Sequence, residues 1–298
     1  MRILVTGAFG FLGGRISSFL ASRGHKVILG TREERLVPNW INKNATVRRI
    51  NWKNESELKR ECCHADFVIH AAGMNAKQCA EDPSKALDFN GFATESLVDI
   101  CEEEGVLGVI YLSTVHVYSS SLRGSFSEES QPLNDHPYAA TSLVGENALL
   151  STKDKKNTNR LVLRLSNAVG SPMNQDANCW MLLINDICQQ IITKRKIVIR
   201  SPVYILRDFF PVSLLCNTVS AFTRKTNFET SLLNVCSSRA VTIKRIVDIV
   251  CDRSRVVLGY QPKVVYKNNS KPEQDNQLMI SNERLRSLIN VEINLNYE

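Results

Sequence analysis

No stretch of the 298 residues approaches the roughly 20 consecutive apolar positions of a membrane-spanning helix, so no helical span is expected. A secretory leader is not expected either, because Met1 runs straight into the strand-like Arg2-Ile3-Leu4-Val5-Thr6. The nine cysteines include no Cys-x-x-Cys spacing; Cys62 and Cys63 are simply adjacent. Most sit inside apolar patterns, which argues for reduced, buried thiols in a cytoplasmic protein and against a metal site. Charge of one sign is never massed. The net charge of +7 is spread along the chain, and its densest basic run, Lys153, Lys155 and Lys156, is interrupted by Asp154. There is no basic stripe with interleaved aromatics of the kind that grips nucleic acid, so no nucleic-acid partner is expected. A mildly basic surface suits phosphorylated small molecules instead. Neither an internal repeat nor a long flexible linker is present. At this length one large α/β unit with a smaller one packed on it is expected.

What is present is concentrated in the first two dozen residues. Arg2 to Thr6 is an apolar run of strand character, and Gly7, Gly10 and Gly13 follow at a spacing of three. A helical pattern then begins, with Phe11, Leu12, Ile16, Phe19 and Leu20 on one face. Strand, glycine turn and helix in that order predict a dinucleotide site. Gly7 permits the tight turn, Gly10 lets the backbone approach a pyrophosphate, and Gly13 lets helix and strand pack closely. The helix N-terminus offers free N–H groups to the phosphates. Phe9, Phe11 and Leu12 belong to the same cofactor-binding turn.

The alternation continues. Lys26–Gly30 reads as a second strand ending in Thr31-Arg32, where an acidic residue would hold the ribose of NAD. A carboxylate repels a 2′-phosphate and a guanidinium attracts it, so Arg32 favours NADP(H), with NAD(H) the alternative. Thr46–Ile50 is a third strand, after which Asn51 and Trp52 stand at the adenine edge, and Glu55–Cys62 is a short helix. Asp66–His70 is a fourth strand, and Ala71-Ala72-Gly73 a small-residue turn that lets backbone pass under the cofactor. A long helix over Pro83–Glu104, a strand Val106–Leu112, a helix Tyr138–Leu150 and a strand Arg160–Leu165 follow. Repeated β/α alternation predicts a parallel, doubly wound sheet. Beyond Asn167 the pattern breaks into short strands and two helices, Trp180–Ile192 and Thr242–Val250. Lys267–Asn276 reads as a polar surface loop.

One set of residues stands in a specific order: the glycine turn, Ala71-Ala72-Gly73, Asn90, Ser113-Thr114, Val117-Tyr118, Pro137-Tyr138-Ala139, Arg164, Asn167, Gly170, Pro172 and Arg207-Asp208-Phe209. That order resembles the extended short-chain dehydrogenase/reductases, in particular the nucleotide-sugar epimerases, dehydratases and reductases. The resemblance implies a Rossmann-like doubly wound parallel sheet over residues 1–166. It also implies a smaller C-terminal α/β substrate-binding region over 167–298, with a return segment to the large sheet. It implies Tyr138 as the proton-transferring phenol and Thr114 as the hydroxyl that holds the same substrate oxygen. Asn90 would support the active-site helix, Ser113 would lie beside the cofactor, and Asn167 and Arg207 would contact the sugar nucleotide. Pairing of two helices into a homodimer is implied as well.

One departure matters. The resemblance calls for a lysine one helical turn after Tyr138, and Ser142 stands there. Lysine would hold the nicotinamide ribose and lower a phenol pKa that is otherwise about 10. Ser142 offers a hydrogen bond and no charge. His116, two residues past Thr114, and Lys77, just after the Gly73 turn, are the candidate compensating cations. Thr114-Val115-His116 lacks the two carboxylates that a 4,6-dehydratase would resemble, which disfavours elimination. The expected activity is therefore NADPH-dependent reduction of a nucleotide-linked 4-keto (deoxy)sugar, in a polysaccharide or deoxysugar pathway. A 4-epimerase with bound NAD is the first alternative, and a catalytically impaired dinucleotide-binding protein the second.

Overall fold

The computed structural model describes residues 1–41, 44–151, 158–225, 231–268 and 277–289, and the alternation read along the first half becomes a parallel sheet. Strand β1 (Arg2–Thr6) ends at the glycine turn, and α1 (Phe11–Ser22) leaves it. Strands β2 (Lys26–Thr31) and β3 (Thr46–Arg49) follow. Helix α2 (Glu55–Cys62) starts where the Asn54 side chain accepts the Glu57 amide at 3.1 Å, and β4 (Phe67–His70) comes next. A short helix absent from the sequence-based expectation, α3 (Ala76–Glu81), is opened by a reciprocal Asn75–Gln78 cap. The expected helix over Pro83–Glu104 forms without a break to Glu103, but it widens in the middle: α4 (Pro83–Ala86) passes through a wide i→i+5 turn over Leu87–Phe92 into α5 (Ala93–Glu103). Strand β5 (Gly108–Thr114), the short β6 (Gly124–Phe126), helix α6 (Pro137–Leu150) and strand β7 (Asn159–Leu165) complete this half.

The second half is less regular. It runs β8 (Asn167–Val169), α7 (Leu183–Lys194), β9 (Lys196–Ile199), β10 (Leu206–Pro211) and α8 (Val212–Thr223). Then come β11 (Ser231–Val235), β12 (Ala240–Thr242), α9 (Ile243–Leu258), β13 (Lys263–Tyr266), β14 (Leu278–Ile280) and α10 (Glu283–Leu288). Helix α7 starts later than the expected Trp180, whose indole instead donates to the Gln175 carbonyl at 2.9 Å. Helix α9 outruns the expected Val250, because the residue that stops it is Gly259 at a φ of 75°.

The large sheet has the order β11-β7-β5-β4-β1-β2-β3, and every pairing in it is parallel. Its central strands are buried on both faces, with Ile3, Leu4, Val5, Val109 and Ile110 wholly inaccessible, as a sheet covered by helices on both sides requires. Successive strands run outward in opposite directions from the β1/β4 boundary, so a crevice opens there at the carboxyl ends. Strand β11 brings the chain back into this sheet beside β7, and the α8 that precedes it packs on α1. The smaller sheets are β12-β10-β8, β13-β9 and β14-β6. A separate core of Ile187, Ile191, Ile197, Ile199, Ile243 and Val247 holds the second lobe together. Among the described residues no helix is long and apolar enough to cross a membrane. The lysine run at 153–156 and most of the polar stretch at 267–276 lie outside the described residues.

Candidate active site

The crevice at the β1/β4 boundary is built by glycines. Gly7 has a φ of +64°, and a Cβ there would stand 2.8 Å from the Ala71 carbonyl oxygen and the Ala72 nitrogen. A Cβ on Gly13 would meet the Gly7 oxygen at 2.2 Å, so only glycine lets α1 lie this close to the turn. Helix α1 has no side-chain cap, which leaves the N–H groups of its first turn for a ligand. A cleft of about 270 Å³ opens above, walled by Gly7, Phe9, Gly10, Arg32, Trp52 and the Ala71–Gly73 turn. These features fit a dinucleotide: a cradle without Cβ atoms for the pyrophosphate, a positive helix end, and an aromatic wall. Phe11 and Leu12 turn their side chains into the core and present only backbone. Asn51 is not part of the wall; its side chain accepts the Lys53 amide at 3.2 Å and shapes the loop behind Trp52.

The two arginines after β2 have different fates. Arg35 is committed: it bonds Asp176 at 2.8 Å and Glu33 at 3.2 Å and lies 4.9 Å over the Phe9 ring. Those carboxylates raise its pKa, the Asp176 hydrogen bond most. Arg32 is exposed, has no ion pair with a described residue, and rests its guanidinium 5.6 Å from the centre of the Phe89 ring. The segment after β8 roofs the same cleft. There Asn174 donates to the Phe9 carbonyl at 3.0 Å and accepts from the Trp40 indole at 2.8 Å, while Asp176, Ala177 and Asn178 form part of the wall. Neither Phe89 nor this roof was read from the sequence. Phe89 carries only one signal, its place directly before Asn90; the roof carries none.

The second group of candidates gathers at the ends of β5 and α6. The Tyr138 phenol lies beside Thr114, and burial raises it above its ordinary pKa, against the smaller lowering effect of Thr114. Helix α6 is held in place behind them. Its buried Glu146 receives Arg164 of β7 through contacts of 2.5 to 3.1 Å and also accepts from Ser113. Ser113, expected beside the cofactor, therefore has its hydroxyl spent on Glu146. Asn90 accepts the Met74 amide at 2.8 Å and donates to Thr141 at 3.3 Å, tying the wide turn to α6.

Ser142 does not face outward from this helix in the manner of a ribose ligand. Its hydroxyl donates to the Tyr138 carbonyl at 2.7 Å, and the side chain is buried. Neither candidate cation replaces the missing charge. His116 is half-buried beside Arg207 and His136; desolvation first, then those two charges, pull its pKa down to about 4, so it is neutral near pH 7. Lys77 lies on the outer face of α3, 79% exposed, and pairs with Glu81 at 3.7 Å. Arg207 is half-buried at the end of the second lobe, its pKa lowered by desolvation. Its neighbour Asp208 is buried and anchors it, accepting from the Ser237 hydroxyl at 2.6 Å, the Ser237 amide at 2.9 Å and the Arg239 amide at 3.2 Å. Asn167 spends its amide on the Asp208 carbonyl at 2.8 Å and joins β8 to β10. Among the described residues no group of three or more metal-ligating side chains is present.

The cleft fits an extended anionic cofactor under a roof, and a buried phenol, Tyr138, stands beside Thr114 at the start of α6. The profile of the NAD dependent epimerase/dehydratase family matches residues 3–236. A dTDP-4-dehydro-6-deoxy-D-allose reductase of a Streptomyces species is 28% identical over 184 residues, 56% of each chain. A dTDP-4-dehydrorhamnose reductase of Mycolicibacterium smegmatis is 28% identical over 156 residues, 51% of this chain and 42% of that one. The chain thus spans about half the length of these two curated relatives. Among solved structures, the UDP-glucose 4-epimerase of Thermotoga maritima with UDP-glucose superposes with a TM-score of 0.80 at 20% identity, covering 96% of this chain and 92% of that one. At that identity the likeness concerns the fold.

Proposed function

The chain belongs to the NAD-dependent epimerase/dehydratase family, and from that premise we propose that it is an NADPH-dependent reductase of a nucleotide-linked 4-keto sugar. The observation that carries this reading is the state of Tyr138: buried beside Thr114, raised in pKa, and with Ser142 rather than a cation one turn away. Such a phenol keeps its proton. It can donate to a developing alkoxide, and it is a poor base for starting an oxidation. Reduction of a ketone asks only for the donation.

The glycine turn, the α1 N-terminus, Trp52 and Arg32 would hold the dinucleotide, which when bound supplies the hydride. Tyr138 gives its hydroxyl proton to the carbonyl oxygen, and Thr114 orients that oxygen through its own hydroxyl. Arg207, steadied by Asp208, attracts the diphosphate of the sugar nucleotide. The two partially matched relatives are named as keto-sugar reductases, which supports the same direction of reaction. The test is to mix the protein with NADPH and a panel of nucleotide 4-keto-hexoses and follow NADPH consumption. Turnover with one of them supports the reading; none with any of them overturns it.

The roof over the cleft favours a second reading. Asp176 and Asn174 bridge to Arg35 and Phe9 across the dinucleotide cleft, an arrangement suited to a retained cofactor. A 4-epimerase keeps NAD and returns the hydride to the other face of the sugar. Dinucleotide that survives purification, with sugar interconversion in the absence of added cofactor, would favour it.

A further inference from the structure

We propose that Phe89 sets the dinucleotide preference of this chain, by seating the Arg32 guanidinium at the mouth of the cleft where a 2′-phosphate would lie. The proposal deepens the reading of an NADP(H) cofactor and rests on it.

The argument begins with the backbone. Leu87–Phe92 is a wide i→i+5 turn between α4 and α5. Insertions of this kind recur at functional sites, because they let two successive residues serve different surfaces. Here Asn90 is turned inward, 4% exposed, where it bonds Met74 and Thr141. Phe89, immediately before it, stays half-exposed and lines the cleft.

Phe89 is the outer member of an aromatic column. Tyr111 stacks on His70 with centroids 5.6 Å apart, His70 meets Trp52 at 5.4 Å, and Trp52 meets Phe89 edge-on at 5.5 Å. Arg32 caps the column, 5.6 Å over Phe89. The inner end is immobile: His70 is buried, with Nδ1 paired to Thr6 at 2.8 Å and Nε2 to Thr94 at 3.0 Å. Rigidity is thereby passed from the core to a ring on the cleft wall. An exposed arginine otherwise spreads over many rotamers, and a ring beneath it narrows them before any ligand arrives. Arg35, the neighbouring guanidinium, is held by Asp176 and Glu33, so the cation left for a phosphate on this wall is Arg32.

The test measures the Kd of the purified full chain for NADP+ and for NAD+ by calorimetry. Phe89→Leu keeps an apolar wall and removes the π face. It should raise the Kd for NADP+ by about two- to fivefold and leave that for NAD+ unchanged. Phe89→Tyr should restore the ratio. In an Arg32→Ala background the preference should already be lost, and Phe89→Leu should change it no further. Equal weakening for both dinucleotides would make Phe89 a simple wall and overturn the proposal. So would a ratio that survives Phe89→Leu but collapses on Arg32→Ala. If the parent binds NAD+ as tightly as NADP+, the cofactor reading itself fails and takes the proposal with it.

Discussion

Single residues decide the chemistry of this site. With a lysine in its place Ser142 would lend Tyr138 a positive charge; as found, its hydroxyl is turned back on the helix carbonyl and the phenol keeps its proton. Replacing Tyr138 with Phe should therefore cut the rate of ketone reduction by about 10²–10⁴-fold, while dinucleotide binding measured by calorimetry stays near the parent value. Because the phenol pKa lies above its ordinary value, the parent's rate should show no fall from Tyr138 ionisation anywhere between neutrality and about pH 10. His70 makes a second prediction. Burial lowers its pKa to about 3, whereas the unfolded chain takes up the proton near 6.5. In that window the unfolded state binds more protons, so stability is lost as pH falls below about 6.5, with a slope approaching about 1.4 kcal/mol per pH unit. Urea titrations across that range should show a shallower slope for His70→Gln than for the parent.

At the scale of elements, the contact between α1 and the turn after β1 is the tightest constraint. A methyl group on Gly13 has the Gly7 carbonyl oxygen in its way, backbone that cannot rotate aside. Gly13→Ala should cost about 1–3 kcal/mol in denaturant unfolding and weaken dinucleotide binding as well, since the helix must lift off the strand. An unaltered midpoint and an unaltered Kd would contradict the packing role. Helix α6 is constrained differently, through a buried Glu146–Arg164 pair whose loss would leave an uncompensated charge in the core. That is why the phenol at its N-terminal end has a defined position although the helix surface itself is only weakly amphipathic.

Across the whole molecule, the segment after β8 reaches back over the cleft, where Asn174 bonds Phe9 and Asp176 bonds Arg35. Its bridge from Asp176 to Arg35 is a partly exposed ion pair, worth about 0.2–1 kcal/mol. Asp176→Asn should therefore speed release of bound dinucleotide by about two- to fivefold in a stopped-flow chase, with the unfolding midpoint nearly unchanged. An unaltered release rate would mean that this segment does not gate the cleft.

The glycine turn, the β/α alternation, the parallel sheet and the order of the candidate residues were legible from the chain alone. Strand and helix periods and turn glycines are local properties, written within a few residues of where they act. The family followed from the order of motifs for the same reason. Only the tertiary structure decided which side chains are free to act. Ser113 and Ser142 have their hydroxyls taken by groups on α6, His116 loses its charge to burial, and Lys77 faces solvent on α3. Phe89 gained its place from a widened turn inside an otherwise helical pattern, and Asp176 reached the cleft from 141 residues beyond Arg35. Burial, pairing and approach between distant segments depend on how the chain folds back on itself, and no periodicity in a linear chain encodes that distance.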